Sequence, residues 1–262
     1  MKRGTKPLNI SDVGRWTMHS QETSAPEVFR DRLLKPTSQI YHRLEWGYAK
    51  QIFEHARLRL SPVNAWPDPY EKWCYNVFKQ AIKEAPNINA YAMCFTSSRY
   101  DEPAWRFIGY EKSEPIVRIR CRVSDLLTAA TNSLSSQPGK WLIGAVQYCP
   151  ERRFRMLASS PISEEMWEPK HVHDAPRAAA STLLLKRRAF RFEKEVRLIF
   201  IDQSNSTRQS EIFLPIDPAI ISDVMVSPHN NSSFPMIREE LMRFGWKPRR
   251  SGVLKPPAWM CD

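Results

Sequence analysis

The chain has 262 residues, of which 42% are hydrophobic and 11% aromatic, so it can bury a sizeable core and is not a disordered polypeptide. Its 39 basic residues against 28 acidic ones give a formal net charge of +11, which favours a polyanionic partner such as nucleic acid or an acidic protein, with a merely basic soluble surface as the alternative. The five cysteines are scattered without a CxxC pair, which argues against a zinc ribbon and a disulfide framework.

The sequence shows neither a membrane-spanning segment nor a secretory signal. No apolar run approaches the ~20 residues that span a bilayer, and the basic N-terminus lacks the apolar segment of a secretory signal. We therefore expect no membrane partner and a cytoplasmic location.

The order of apolar and polar residues predicts an α+β chain with a mixed or antiparallel β-sheet core and flanking helices. Residues 1–36 are polar and form a predicted N-terminal arm, with a short helix at 26–34, while residues 37–262 form one domain without repeats. The predicted elements that follow are a strand at 40–44, helix 45–56, strand 57–61, helix 70–84, strand 91–96, strand 116–123, helix 124–134, strand 141–148, helix 176–188, strands 196–201 and 211–214 paired with each other, strand 220–226, a helix from 232 to 242, and a last strand at 252–254.

Three arginines alternate along the strand at 116–123 and so share one face. Such a basic stripe suits binding to a phosphate backbone, whereas the commoner interpretation is a solvated outer face. A second basic group lies in the irregular stretch 150–176. The candidate nucleic-acid-binding residues are Arg118, Arg120, Arg122, Arg152, Arg153 and Arg155.

The stretch 189–201 (AFRFEKEVRLIFI) places two carboxylates, Glu193 and Glu195, at the entrance of a buried strand. Spacing of two on a strand points both side chains to the same face. Buried carboxylates are costly unless they are paired or functional. The pair is therefore either a structural one, neutralised by Lys194, Arg191, Arg197 or another of the many basic residues, or part of an active site.

A metal site is not predicted. His171 and His173 have ligand spacing on a strand, but no third ligand accompanies them.

Three segments resemble, in order and spacing, a widespread bacterial family of uncharacterised domains. They are residues 58–71 (LRLSPVNAWPDPYE), 94–105 (CFTSSRYDEPAW) and 192–198 (FEKEVRL), and the resemblance covers roughly residues 40 to 230. Pro67 stands where the family usually has Asn, and the family's Trp-x-x-Tyr pair is reduced to Trp105 with Phe107 or Tyr110 nearby.

The same order resembles, more distantly, the ADP-ribosyltransferase fold. Those enzymes carry an Arg or His on a first strand, a hydroxyl motif on a second and a Glu, often E-x-E, entering a third. Here these places are taken by Tyr41-His42-Arg43, Phe95-Thr96-Ser97-Ser98 and Glu193-Lys194-Glu195.

The resemblance implies NAD as substrate and a role for each residue. Glu195 would hold the ribose 2′-hydroxyl and stabilise the oxocarbenium character that develops on the ribose, and Glu193 would orient or deprotonate the acceptor. The remaining implied NAD-binding residues are Tyr41, His42 and Arg43 for the ribose or pyrophosphate, Thr96 and Ser97 to brace the site, and Trp105 or Tyr110 to stack on nicotinamide.

By resemblance, the expected role is a bacterial toxin or phage-defence effector that modifies RNA or DNA, with an acidic antitoxin as a partner suited to the charge. The main alternative is a basic nucleic-acid-binding module or a nuclease whose glutamates bind Mg²⁺, and a third is an interaction protein that has lost activity. A metal nuclease usually has more clustered Asp, Glu and His than this sequence offers.

Overall fold

The computed structural model describes residues 16–18, 28–81, 88–99, 105, 114–135, 139–159, 175–202, 209–229 and 231–252. Within these ranges the strands are β1 Trp16–Met18, β2 Val28–Asp31, β3 Gln39–Glu45, β4 Arg57–Pro62, β5 Asn89–Thr96, β6 Ile116–Arg122, β7 Lys140–Ala145, β8 Gln147–Cys149, β9 Leu185–Arg187, β10 Glu195–Asp202, β11 Ile212–Pro215, β12 Asp223–Val226 and β13 Arg249–Arg250.

The α-helices of the same ranges are α1 Trp46–His55, α2 Pro69–Ala81, α3 Val123–Ser133, α4 Glu151–Ser159, α5 Ala175–Thr182 and α6 Phe234–Arg243. Short 3-10 helices occupy Val63–Ala65, Arg188–Glu193, Pro218–Ile220 and Asn231–Ser233.

The main sheet is mixed and mostly antiparallel. Its strands lie in the order β1-β2-β7-β10-β5-β3-β6-β12-β13, and β4 joins β5 and β11 beside this path. Only β2 with β7 and β12 with β13 pair in parallel among its described strands. The predicted α+β class with a mixed or antiparallel core is confirmed.

Helices cover both faces of the sheet, and β10 at its centre shows the consequence. All eight residues of β10 are buried, as expected for a strand covered on both sides. Val196, Leu198 and Phe200 contribute to the core that includes α1, α3 and α6. Ile199 and Ile201 face the second core, which includes residues of α2, α4 and α5.

The sheet divides beside β5. Tyr41 of β3 pairs with Thr96 at one end of β5, whereas Ser61 and Pro62 of β4 pair with Ala92 and Tyr91 nearer the other end. β3 and β4 therefore pair with opposite ends of β5, and residues 93–95 have no partner on that side among the described strands. This fork creates the space in which the candidate site lies.

Several sequence predictions are wrong. The segment predicted as helix 26–34 forms β2 instead, because pairing in the sheet buries its apolar residues Val28 and Phe29. The strand at Ile212–Pro215 pairs with β4 and not with β10, since β10 already has β5 and β7 as neighbours.

Smaller differences concern element ends. The predicted strand 141–148 is divided into β7 and β8, and part of the stretch predicted as irregular forms α4. The last strand lies at Arg249–Arg250, before the predicted 252–254. In the described part of the chain, no helix is long and apolar enough to cross a membrane.

Candidate active site

Two adjoining cavities lie at the fork. The inner cavity has a volume of about 340 Å³ and is bounded by Tyr41, His42, Glu71, Thr96, Glu195 and Arg197, among others. The fork groove, of about 500 Å³, is bounded by Arg43, Tyr48, Arg57, Arg59, Trp66 and Phe213, among others. The two cavities share His42, Arg43, Trp66, Pro67 and Cys94.

Register across three neighbouring strands brings the sequence-predicted residues together. Thr96 of β5 is paired with Tyr41 of β3 on one side and with Glu195 of β10 on the other. One row across the sheet thus carries a residue from each of the three motifs that the sequence singled out. The three residues of this row lie 55 and 99 positions apart along the chain, and only the pairing places them at one cavity.

Arg197 organises the carboxylates of the inner cavity. Its side chain is 0% exposed, and its Nε and Nη2 donate to the two oxygens of Glu195, each at 2.9 Å. Nη2 also donates to Glu71 Oε2 at 2.9 Å, Nη1 donates to the Leu183 carbonyl, and the guanidinium lies over the Trp66 ring at 4.4 Å from its centroid. A buried guanidinium needs this degree of pairing.

Lys186 is the second cation of the cavity. Its Nζ lies 3.0 Å from Glu195 Oε2 and 3.3 Å from Glu71 Oε1, and it also contacts Glu193 Oε2. Three carboxylates therefore share two cations, Lys186 and Arg197. Both glutamates of the E-x-E motif thus contact a cation, as the structural interpretation of the pair expects.

The two glutamates differ in their ionisation. Burial alone would raise the pKa of the Glu195 carboxyl, but Arg197 and Lys186 outweigh burial and lower that pKa to about 2. Burial raises the pKa of Glu193, and the opposing contact with Lys186 does not fully offset it. Glu195 is consequently a fixed anion, whereas Glu193 is the more readily protonated of the two.

Hydroxyls of the second motif hold the turn that carries Glu193. Thr96 Oγ1 donates to the Glu193 carbonyl at 2.7 Å, and Ser97 donates to the Lys194 carbonyl from its backbone N–H at 2.9 Å and from Oγ at 3.2 Å. Lys194 has a φ of 44°, a left-handed conformation that is costly for a residue with a Cβ. These bonds offset that cost.

Glu193 does not lie on the strand. It ends the 3-10 helix Arg188–Glu193, so the predicted alternation of Glu193 and Glu195 on one strand face is wrong, because the left-handed Lys194 reverses the backbone between them. The two side chains still converge, since both contact Lys186.

His42 lies on the β3 side of the fork and is held in one tautomer. Its Nδ1 lies 2.7 Å from the Cys94 carbonyl oxygen, which can only accept, so Nδ1 carries the proton and Nε2 is left as an acceptor. Burial lowers the pKa of His42 to about 4 despite this hydrogen bond. The imidazole is therefore neutral at physiological pH.

The two aromatic residues predicted to stack on nicotinamide have different outcomes. Trp105 is 1% exposed and packs against Arg43, whose guanidinium carbon lies 5.2 Å from the ring centroid. Trp105 is not among the residues that line either cavity, and its stacking on nicotinamide stays a prediction. Tyr110 lies outside the described residues. Trp66 lines both cavities and is an aromatic residue to which the sequence analysis gave no role.

The predicted basic stripe is not continuous. Arg118 is 3% exposed, pairs with Asp223 at 3.4 Å and lies over the Tyr41 ring, so it is not part of an exposed stripe, and its binding to phosphate stays a prediction. Arg120 is partly exposed and donates to Ser222, while Arg122 is exposed. Three further arginines are exposed on α4, namely Arg152, Arg153 and Arg155.

Glu71 and Lys186 are site residues to which the sequence analysis gave no role. Glu71 lies in the first turn of α2, which begins after Asp68, whose Oδ1 accepts from the Tyr70 N–H at 2.9 Å. The DPYE motif at 68–71 could have indicated Glu71, because the motif places an acid in the first turn of a helix capped by Asp68. Lys186 had no local signal; only the need to neutralise buried carboxylates points to a cation.

The glutamates are engaged by cations in the structure. Among the residues that are described, no three His, Cys, Asp or Glu side chains are grouped in a way that could hold a metal ion.

No family model matches the chain, and no curated protein matches it. The resemblance to a family of uncharacterised bacterial domains therefore stays a prediction. Two solved structures are distantly similar. The first, Thermus sp. 2.9 DarT in complex with NAD+, is 12% identical, with 83% of this chain and 96% of that chain covered and a TM-score of 0.36. The second, Thermus sp. 2.9 DarT in complex with ADP-ribosylated ssDNA, is 11% identical, with 83% and 94% covered and a TM-score of 0.37.

Proposed function

We propose that this protein is an ADP-ribosyltransferase that uses NAD as substrate and a nucleic acid as acceptor. The observation that carries the proposal is the row Tyr41–Thr96–Glu195 across three paired strands, which ends in an ionised carboxylate inside a cavity. Glycosyl transfer from NAD needs a fixed negative charge beside the ribose, because positive charge develops there in the transition state.

In this proposal Glu195 acts as that charge. Its pKa of about 2 keeps it ionised throughout the physiological range. Arg197 and Lys186 occupy three acceptor positions of its two oxygens. A carboxylate has about four such positions, so one is left to accept from the ribose 2′-hydroxyl.

Glu193 takes the acceptor's proton. When the bond between ribose C1′ and the nicotinamide nitrogen breaks, its electron pair leaves with nicotinamide, and the acceptor nucleophile forms the new bond to C1′. The nucleophile must then lose a proton, and a partly exposed carboxylate with a raised pKa is suited to receive it.

Two residues of β3 support binding. Neutral His42 offers its Nε2 as an acceptor for a ribose hydroxyl, and Arg43, which lines both cavities, offers positive charge to a pyrophosphate. The exposed basic residues and the net charge of +11 favour an acceptor that is itself a polyanion. The role as a toxin or defence effector and the acidic antitoxin stay predictions.

The proposal is tested with NAD labelled in its adenylate phosphate, incubated with separate pools of DNA, RNA and protein. Wild type is expected to transfer label to a nucleic-acid pool, and Glu195→Gln is expected to transfer none. Glu239→Gln, a change of an exposed glutamate of α6 that lines neither cavity, is the matched control. Transfer by Glu195→Gln at the wild-type rate, or label in protein alone, contradicts the proposal.

A further inference from the structure

The fork groove carries a second pattern that NAD chemistry does not require. Arg57 and Arg59 alternate with buried leucines on β4 and so point outward together. Phe213 of β11 is paired with Arg59 in register and is partly exposed on the same face. Tyr48 of α1, 45% exposed, lies beside them.

Each arginine is stacked on an aromatic ring. The guanidinium carbon of Arg57 lies 3.9 Å from the Phe213 ring centroid, and that of Arg59 lies 5.1 Å from the Tyr48 centroid. Each contact holds a planar cation against a ring and so forms a platform on which a base can stack. The arginines of the two platforms lie two positions apart on β4. Successive platforms of this kind suit a polymer of bases and phosphates better than a single nucleotide.

The charge of the groove agrees with an anionic strand. Its lining includes three arginines, Arg43, Arg57 and Arg59, against one glutamate, Glu45. Arg59 also contacts Glu211, an ion pair at the surface and thus weakened by solvent. No carboxylate lies within ion-pair distance of Arg57 among the residues that the structure describes.

We propose that the fork groove binds single-stranded nucleic acid, with bases stacked on the Arg57–Phe213 and Arg59–Tyr48 platforms and phosphates held by the arginines. Because the groove shares His42 and Arg43 with the inner cavity, a bound strand lies next to Glu193 and Glu195. This surface differs from the exposed arginines of β6 and α4. Its role in presenting an acceptor rests on the proposed function, whereas binding itself does not.

The test is fluorescence anisotropy with labelled oligodeoxythymidine and oligouridine of about 12 nucleotides, in the absence of NAD, over salt from about 50 to 200 mM. In Arg57→Gln/Arg59→Gln, binding is expected to weaken at least about tenfold, and the salt slope is expected to fall by about 1.4, the value for two phosphate contacts on a single strand. Tyr48→Ala is expected to weaken binding about tenfold, the effect of losing one stacked base.

The matched control is Arg32→Gln/Arg238→Gln, which removes two exposed arginines that line neither cavity. Three results would overturn the inference. The double groove variant could bind with wild-type affinity, the control could lose as much affinity as the double groove variant, or ADP-ribose could displace the bound strand. The last result would assign the groove to a free dinucleotide instead.

Release of nicotinamide from NAD, measured on the same samples, separates the two proposals. Groove-dependent binding without any NAD consumption by wild type leaves the inference standing and defeats the proposed function. If wild type consumes NAD and the groove variants bind the strand as tightly as wild type does, the proposed function stands and the inference is defeated.

Discussion

Arg197 is the residue on which the inner cavity depends. It is fully buried, and its partners Glu71 and Glu195 are buried as well. A buried ion pair contributes little compared with an apolar replacement of both partners, but removal of one partner leaves an uncompensated charge in the interior. Removal of Arg197 is therefore expected to lower the free energy of unfolding more than the loss of its three hydrogen bonds to carboxylates alone would.

Replacement of Arg197 by Met is expected to cost about 3–5 kcal/mol of unfolding free energy, because Glu71 and Glu195 are then left with Lys186 alone. Urea unfolding followed by circular dichroism measures this loss. Arg238→Met, at an exposed position of α6, should change stability by no more than about 0.5 kcal/mol.

If Arg197→Met does not fold, Arg197→Lys provides the measurement, since it keeps the charge but cannot bond both oxygens of Glu195. A loss below about 0.5 kcal/mol in Arg197→Lys would contradict the importance of the two-fold contact.

His42 gives the protein a pH dependence of its own. Its pKa is lowered from the usual 6.5 to about 4 in the folded state, so the unfolded chain binds a proton first as the pH falls. The stability that neutral His42 contributes is present above pH 6.5 and is lost as the pH falls toward about 4. The lost stability is expected to be roughly 1–3 kcal/mol.

The measurement compares unfolding free energies of wild type and His42→Gln at several pH values within that window. Wild type is expected to lose stability more steeply than the variant. Parallel curves for the two proteins would show that folding does not lower the pKa of His42. His229→Gln, at an exposed position, serves as the comparison, and its curve should follow that of wild type.

At the scale of elements, the turn between the 3-10 helix Arg188–Glu193 and β10 sets the position of the two glutamates. Its left-handed residue Lys194 is held through carbonyl oxygens by Thr96 and Ser97. The hydroxyl motif therefore acts on the glutamates through the backbone.

Replacement of Thr96 by Val, which is similar in shape but cannot donate, is expected to cost about 1–2 kcal/mol, because the Glu193 carbonyl loses its 2.7 Å hydrogen bond. Thermal unfolding measures the effect. Thr128→Val is the matched control, since Thr128 Oγ1 donates to the Ser124 carbonyl on an exposed helix face and its loss should be small. Equal effects of the two changes would argue that the turn does not depend on Thr96.

The sequence predicted most elements but not their pairing. Strands such as β3 and β5 and helices such as α1 follow from alternating or helical apolar spacing, which is a local property. The pairing of β11 with β4 depends on which strand edges remain open after β10 is enclosed, and this is a property of the whole sheet. The helix predicted at 26–34 failed for the same reason, because sheet pairing overrides local propensity.

At the scale of the whole molecule, the inner cavity is assembled from five separate stretches of chain. The order of three motifs along the sequence identified the site residues of β3, β5 and β10, because each motif has a recognisable set of residue types. It gave no role to Glu71 or Lys186, since a cation is placed beside buried carboxylates by tertiary contact alone. The division of the sheet at β5, which forms both cavities, leaves no local trace either.

The most direct test of the central claim, that the inner cavity cleaves NAD with Glu195 as its fixed anion, is release of nicotinamide from NAD without any acceptor. Wild type is expected to release nicotinamide at a measurable rate. Glu195→Gln, and Glu195→Asp with its charge kept but its reach shortened, should each fall at least about 100-fold, the effect of losing one electrostatic contact to the transition state. Circular dichroism confirms that the variants are folded. Equal rates in wild type and both folded variants, or no release by folded wild type, would contradict the account.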